Sequence, residues 1–283
     1  MRFAIQLGLI LVGVAALGIA LAFARGVPEV VGFWPYSTTY GLATIFIASM
    51  FTAIGAPIIW IGLSGDLAAI RPGAVNIIAV GVGLGGQATW KIAFEASSDK
   101  LMIFAIVVWV VVVAVGVMVV LARTERWRDP RPTPWLVRIA FGIFTFVLLV
   151  AGGLLVQRIQ IFPWVLDRDS AFAFGIMFLG AAAYFVYGLV EPVWSNAKGQ
   201  LIGFLAYDAV LLVPYLTLWP STVGDQQRGL TVYLAALVIS GVIAIWHLCF
   251  NPIWKFGRGL GTPVRDWRKR RSAGAGDEIP IAE

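Results

Sequence analysis

Phe33-Trp34-Pro35, an apolar run, Gly62-Leu63, a short polar link and Gly73 recur later in the chain as Phe162-Pro163-Trp164, an apolar run, Gly188-Leu189, a short polar link and Gly199. The spacing from Gly62 to Gly73 equals that from Gly188 to Gly199. A helix-length apolar segment precedes each Trp/Pro loop and ends in an arginine, Arg25 in one case and Arg158 in the other. A repeat of this kind sets the architecture before any single residue is interpreted. It predicts an all-α membrane protein of eight transmembrane helices, arranged as two tandem four-helix units.

Composition supports the class. Of 283 residues, 60% are hydrophobic and 13% are charged, against about 25% charged in ordinary soluble domains. Apolar runs of about 20 residues match a hydrocarbon core of roughly 30 Å. Eight are visible, at 3–24, 41–63, 73–94, 101–122, 136–157, 170–190, 200–217 and 229–251. The third carries Gln87 and Lys91, and the seventh is short and carries Asp208. Lipid supplies no partner for an open strand edge, so the spans are expected to be helices.

The net charge of +6 does not indicate a nucleic-acid partner, because the cations sit in links and a tail between apolar segments. With eight spans, fifteen Lys and Arg fall on the side of both termini and six on the other. That excess predicts cytoplasmic termini in an inner (plasma) membrane. Each half crosses four times, so the copies share an orientation and a pseudo-twofold axis along the membrane normal. Residues 1–24 also have the form of a signal peptide, with Ala20-Leu21-Ala22 as its cleavage site. Their correspondence with 136–157 favours a retained helix.

The domain reading is a first repeat over 1–122, an Arg/Pro-rich cytoplasmic linker over 123–135, a second repeat over 136–256, and a basic tail over 257–283 expected to be disordered. Pro130, Pro132 and Pro134 make the linker non-helical and stiff. In the tail, Arg268, Lys269, Arg270 and Arg271 are candidates for contact with anionic lipid, or an ordinary positive-inside stop. Arg25 and Arg158 are further lipid-contact candidates, and snorkelling to the interface accounts for them. The Trp34 and Trp164 loops read either as part of an interfacial aromatic belt or as lids over a pocket.

Four residues are candidates for a substrate or proton site: Asp208, Gln87, Tyr207 and His247. A carboxylate inside an apolar span is costly, so Asp208 must face the bundle interior, a wet cavity or a hydrogen-bonding partner. Counting from Gly62 and Gly188, its counterpart in the first half is Val82. Tyr207 and Tyr215 offer hydroxyls beside it. Gln87 sits one turn beyond Gly83, placed to hydrogen-bond across the bundle. His247 is the single histidine, expected at the interface beside Trp246 and Trp254. Gly81-Val-Gly83-Leu-Gly85-Gly86 contains GxGxxG, but it lies inside an apolar span, not after a strand. The Gly81/Gly85 pair reads as close helix packing. Lys91 and Glu95 are spaced for a local ion pair.

Other chemistry is set aside. One histidine and one cysteine, Cys249, cannot build an intrachain haem or zinc site. A retinal site needs a lysine in mid-membrane, and all five lysines lie near span ends or in links. No GxxxxGK[ST] loop or GxSxG elbow is present. Asp167 and Asp169 flank Arg168 and hint only faintly at metal. The Phe33-Trp34-Pro35 loop and the Gly-rich span after it resemble uncharacterised multi-pass membrane proteins of bacteria. The likeness covers roughly the first hundred residues, and it implies a bacterial inner membrane without implying an activity.

Three classes of function remain. The first is an accessory or structural subunit of a larger membrane assembly, with other membrane proteins as partners beside the bilayer. The second is a small carrier, or a lipid-, quinone- or pigment-binding protein, using Asp208. A membrane enzyme comes last.

Overall fold

The computed structural model describes residues 2–36, 41–95, 98–162 and 164–251. Among them the chain is all-helical, with eight helices long and apolar enough to cross a membrane. They are α1 (Arg2–Ala24), α2 (Gly41–Ser64), α3 (Ile70–Phe94), α4 (Asp99–Ala122), α5 (Trp135–Val156), α6 (Arg168–Val190), α7 (Trp194–Leu218) and α8 (Gly224–Ile245). At 1.5 Å per residue each is about 33–38 Å long. The expected tail, with Trp254 and the Arg268–Arg271 cluster, lies outside the described residues.

Three spans differ from the sequence reading, one of them α8, which starts at Gly224, not 229. Helix α3 starts at Ile70, not 73, and α7 starts at Trp194, not 200. The seventh span is therefore not short. Its first six residues are polar enough to be read as a link, yet all six are buried. The helix runs on because the protein, not lipid, surrounds that end.

Helix starts follow local chemistry. The Ser98 side chain accepts the N–H of Leu101 at the head of α4. The Asp167 carboxylate accepts the N–H groups of Asp169 and Ser170 at the head of α6. No side chain caps α7. Instead its first N–H groups are taken by carbonyls of the 123–134 linker, Trp194 N to Arg131 O at 2.7 Å and Ser195 N to Asp129 O at 3.1 Å.

Helix α1 packs on α2 and α5 on α6, while α4 lies on α3 and α8 on α7. Two further seams join the halves, α2 on α7 and α3 on α6. Glycine sets the closest crossings. A Cβ on Gly13 would lie 2.9 Å from Gly55 O, and one on Gly175 would lie 2.9 Å from Gly152 O. The expected Gly81/Gly85 packing is present: both glycines lie against Val108 of α4, with Trp109 also beside Gly85. The α2–α7 seam has its own device. Pro57 has no N–H to give Ala53 O, and Gly203 brings α7 to where a Cβ would be 3.1 Å from that oxygen. One turn earlier, Gly199 lets Trp60 lie against the helix.

The tryptophans of both Trp/Pro loops turn inward, while Phe33 stays exposed. Trp164 and Phe162 are buried and Trp34 is half-buried, so they do not form an exposed belt. Phe46 of α2 is the hub, with ring centroids 4.6–6.4 Å from Phe174, Phe162, Phe178 and Tyr207. Trp164 continues the cluster to Tyr215. This aromatic mass occupies the centre of the bundle on the loop side.

Candidate functional site

At the opposite end, charged groups converge on the α2–α7 seam. The linker carries the key carboxylate. Its prolines prevent helix formation, and it docks as an extended strip on the α6–α7 connection. Thr133 N–H donates to Pro192 O at 2.8 Å, and Pro132 bridges Val193. This docking buries Asp129. Its backbone N–H donates to Ser195 Oγ at 2.8 Å. Its carboxylate accepts Arg131 Nε and Nη2 side-on, both at 2.7 Å, and Lys198 Nζ at 3.0 Å. Burial opposes ionisation of Asp129, but Arg131 and Lys198 outweigh it and hold the carboxyl below the usual carboxylate range.

Asp66 joins from the α2–α3 connection and is 2% exposed. The backbone N–H of Arg128 donates to its Oδ1 at 3.4 Å. Burial raises its carboxyl above the usual range, against the opposing pull of Ser195, Arg128 and Lys198. Nearby, Arg71 Nη2 donates to Glu125 O, and its guanidinium lies 4.7 Å from the centre of the Trp127 ring. Arg2 pairs with Glu125 at 3.2 Å. These contacts place the start of α1, the α2–α3 connection, the linker and the start of α7 at one end of the bundle.

A cavity of about 350 Å³ opens beside this cluster. One wall is charged: Asp66, Arg128, Asp129 and Lys198. The rest of the lining is mainly apolar: Ala56, Ile59, Trp60, Leu63 and Ile202, with Ser64. Leu63 is 71% exposed, so the apolar wall reaches the protein surface.

The residues singled out in the sequence lie elsewhere and do not converge. Asp208 is buried on α7 against α8, where Ser240 Oγ lies 2.8 Å from its Oδ2. Its Oδ1 has no described partner. Val82, its counterpart by spacing, is exposed, so the two halves differ here. Tyr207 hydrogen-bonds Tyr233, also across the α7–α8 seam. Gln87 does reach across the bundle, donating to Asp169 Oδ1 at 3.5 Å. Lys91 was expected to pair locally with Glu95, and it does at 3.6 Å. It also makes a close ion pair with Asp169 of α6, which joins α3 to α6. His247 is buried within the bundle. It is 3% exposed, with Nδ1 2.9 Å from Ile243 O and its ring facing Trp194. Arg25 and Arg158 are exposed at the ends of α1 and α5, and Arg158 adopts φ 67°. Among the described residues no group of His, Cys, Asp and Glu could hold a metal ion. Asp167 is used as a helix cap and Asp169 as the partner of Lys91.

Sequence reasoning misses the Asp66/Asp129/Lys198 cluster, because Lys198 reads as one of the charges that set topology and Asp129 as part of a basic linker. The available signal was Gly199-Gln-Leu-Ile-Gly203, a GxxxG pair immediately after Lys198 that marks a close helix seam. Comparison with protein-family models, with curated proteins and with solved structures finds no match for this chain.

Proposed function

We propose that the chain is a multi-pass protein of a bacterial inner membrane that binds an amphiphile between two parallel four-helix repeats, as a small carrier or lipid-binding protein. One observation carries this reading: the cavity at the α2–α7 seam has charged and apolar lining residues and reaches the surface at Leu63. That is the wall chemistry an amphiphile needs, and about 350 Å³ is within the range of small-ligand sites. Asp208 instead joins α7 to α8 through Ser240.

The helix pairings support the repeat. An axis along the membrane normal that exchanges the halves turns the α1–α2 pair into α5–α6, α3–α4 into α7–α8, and the α2–α7 seam into α6–α3. The excess of Lys and Arg at the cavity end supports placing that end in the cytoplasm.

The test is purification from the native membrane in mild detergent, with mass spectrometry of everything bound. One enriched amphiphile, lost when Ile202→Trp fills the apolar wall, supports the reading. A stoichiometric protein partner and no enriched small molecule would replace it with the accessory-subunit reading.

A further inference from the structure

We infer that the ligand of the seam cavity is a lipid with a phosphodiester head, its phosphate held by Arg128 and Lys198 and its chains lying along Ile59, Leu63 and Ile202. This rests on the amphiphile reading above and adds the chemistry of the head.

The charges around the cavity argue for an anion. Three cations, Arg128, Arg131 and Lys198, stand among two carboxylates, Asp66 and Asp129. Asp129 is fully engaged by Arg131 and Lys198. Asp66 is turned to the Arg128 backbone N–H and lies deep, at 2% exposure. The Arg128 guanidinium is exposed at the mouth and donates no hydrogen bond to a described residue. Its five-donor fork is therefore available, and such forks suit oxyanions of fixed geometry. Lys198 gives one of its three donors to Asp129, which leaves donors for a second acceptor.

The excess of one positive charge suits a phosphodiester monoanion. Donors also come from two directions, Arg128 from the linker and Lys198 from α7. The two non-ester oxygens of a phosphodiester can each face one of these donors. The exposed Leu63 on the apolar wall points to the bilayer as the source of the ligand, because an acyl chain suits that surface.

The experiment is native mass spectrometry of the delipidated full chain, titrated separately with phosphatidylglycerol, diacylglycerol of the same chains, oleate, and inorganic phosphate as a competitor. Phosphatidylglycerol is expected to bind one per chain. Arg128→Gln should weaken it about tenfold and Arg128→Lys by less, while Ile202→Trp should displace it. Thermal melts of each variant confirm folding, which the exposure of Arg128 favours. Equal binding of diacylglycerol, with Arg128→Gln silent, overturns the phosphate head but leaves the amphiphile site. Equal binding of oleate puts a carboxylate in its place. Full displacement by millimolar inorganic phosphate overturns the lipid source in favour of free phosphate. Lipid occupancy unchanged by Ile202→Trp overturns the site itself.

Discussion

Lys198 Nζ, on the fifth residue of α7, lies 3.0 Å from Asp129 Oδ2 in the linker between the halves, and both side chains are buried. The pair ties the linker to the α2–α7 seam and forms the charged wall of the cavity. Its two partners are not equivalent. Asp129→Asn leaves Lys198 buried and Arg131 without its carboxylate, and breaking a buried pair this way costs about 3–5 kcal/mol. Lys198→Met leaves the side-on Arg131 contact intact and removes one charged hydrogen bond, about 1.5 kcal/mol. Thermal melts in detergent should therefore order the proteins wild type, Lys198→Met, Asp129→Asn. The reverse order for the two variants would mean that Asp129 is not the anchor.

Acid should act on Asp66 and Asp129 in opposite senses. The Asp129 carboxyl is held below its usual range, so its stabilisation is present above the unfolded value and lost as pH falls through the lower folded one. The Asp66 carboxyl is raised, so its ionisation costs stability at neutral pH, and protonation on mild acidification relieves that cost. Melting temperature should rise slightly on mild acidification and fall below the ordinary carboxylate range. Asp66→Asn should remove the rise, and Asp129→Asn should remove the fall. Parallel acid limbs in wild type and Asp129→Asn would show that the linker is not held by this carboxylate.

The Asp208–Ser240 contact is argued as a helix lock. Ser240 Oγ has two acceptors at 2.8 Å, Asp208 Oδ2 and Ala236 O, and one proton to give. An asparagine can donate its amide to Ser240 Oγ while the hydroxyl turns to Ala236 O. Asp208→Asn should thus melt close to wild type. Ser240→Ala strands a buried carboxyl oxygen and should cost about 1–3 kcal/mol. Asp208→Leu should also destabilise, because it removes the Ser240 contact and puts a branched side chain of different shape into a buried seam. A double-mutant cycle with no coupling between positions 208 and 240 would overturn the lock.

The limits of reading this chain from sequence follow from what hydropathy measures. The eight helices were legible because lipid-length apolar runs announce themselves, and α1, α2, α4, α5 and α6 lie within a few residues of their expected ends. The buried polar start of α7 was not, since Trp194–Gly199 reads as a link unless one knows that the linker folds over it. For the same reason Asp129 looked like a solvated charge among arginines. Asp208 stood out because it interrupts an apolar run, yet its burial against Ser240 depends on which face of α7 meets α8. Gln87 was read correctly as reaching across the bundle, although its partner, Asp169 on α6, is distant in sequence.

The glycine crossings give the sharpest test of the packing within each half. Gly175 of α6 has no room for a side chain. A Cβ there would lie 2.9 Å from Gly152 O, from Val156 N and from Val156 Cγ2. Two of these are backbone atoms of α5, so the helices must separate to accept it. Gly175→Ala should cost about 1–3 kcal/mol, the usual range for overpacking. Gly13→Ala should behave alike, with Gly55 O at 2.9 Å and Ile59 N at 3.0 Å from the added carbon. Gly8 and Gly18 lie on α1 with nothing within 4 Å of an added Cβ. Alanine there removes a helix-propensity penalty of about 1 kcal/mol, so these variants should melt at or above wild type. The contrast separates a clash at the crossing from any general intolerance of change in α1. If Gly8→Ala and Gly13→Ala melt together, α1 does not cross α2 at Gly55, and the α1–α2 pairing that mirrors α5–α6 falls with it.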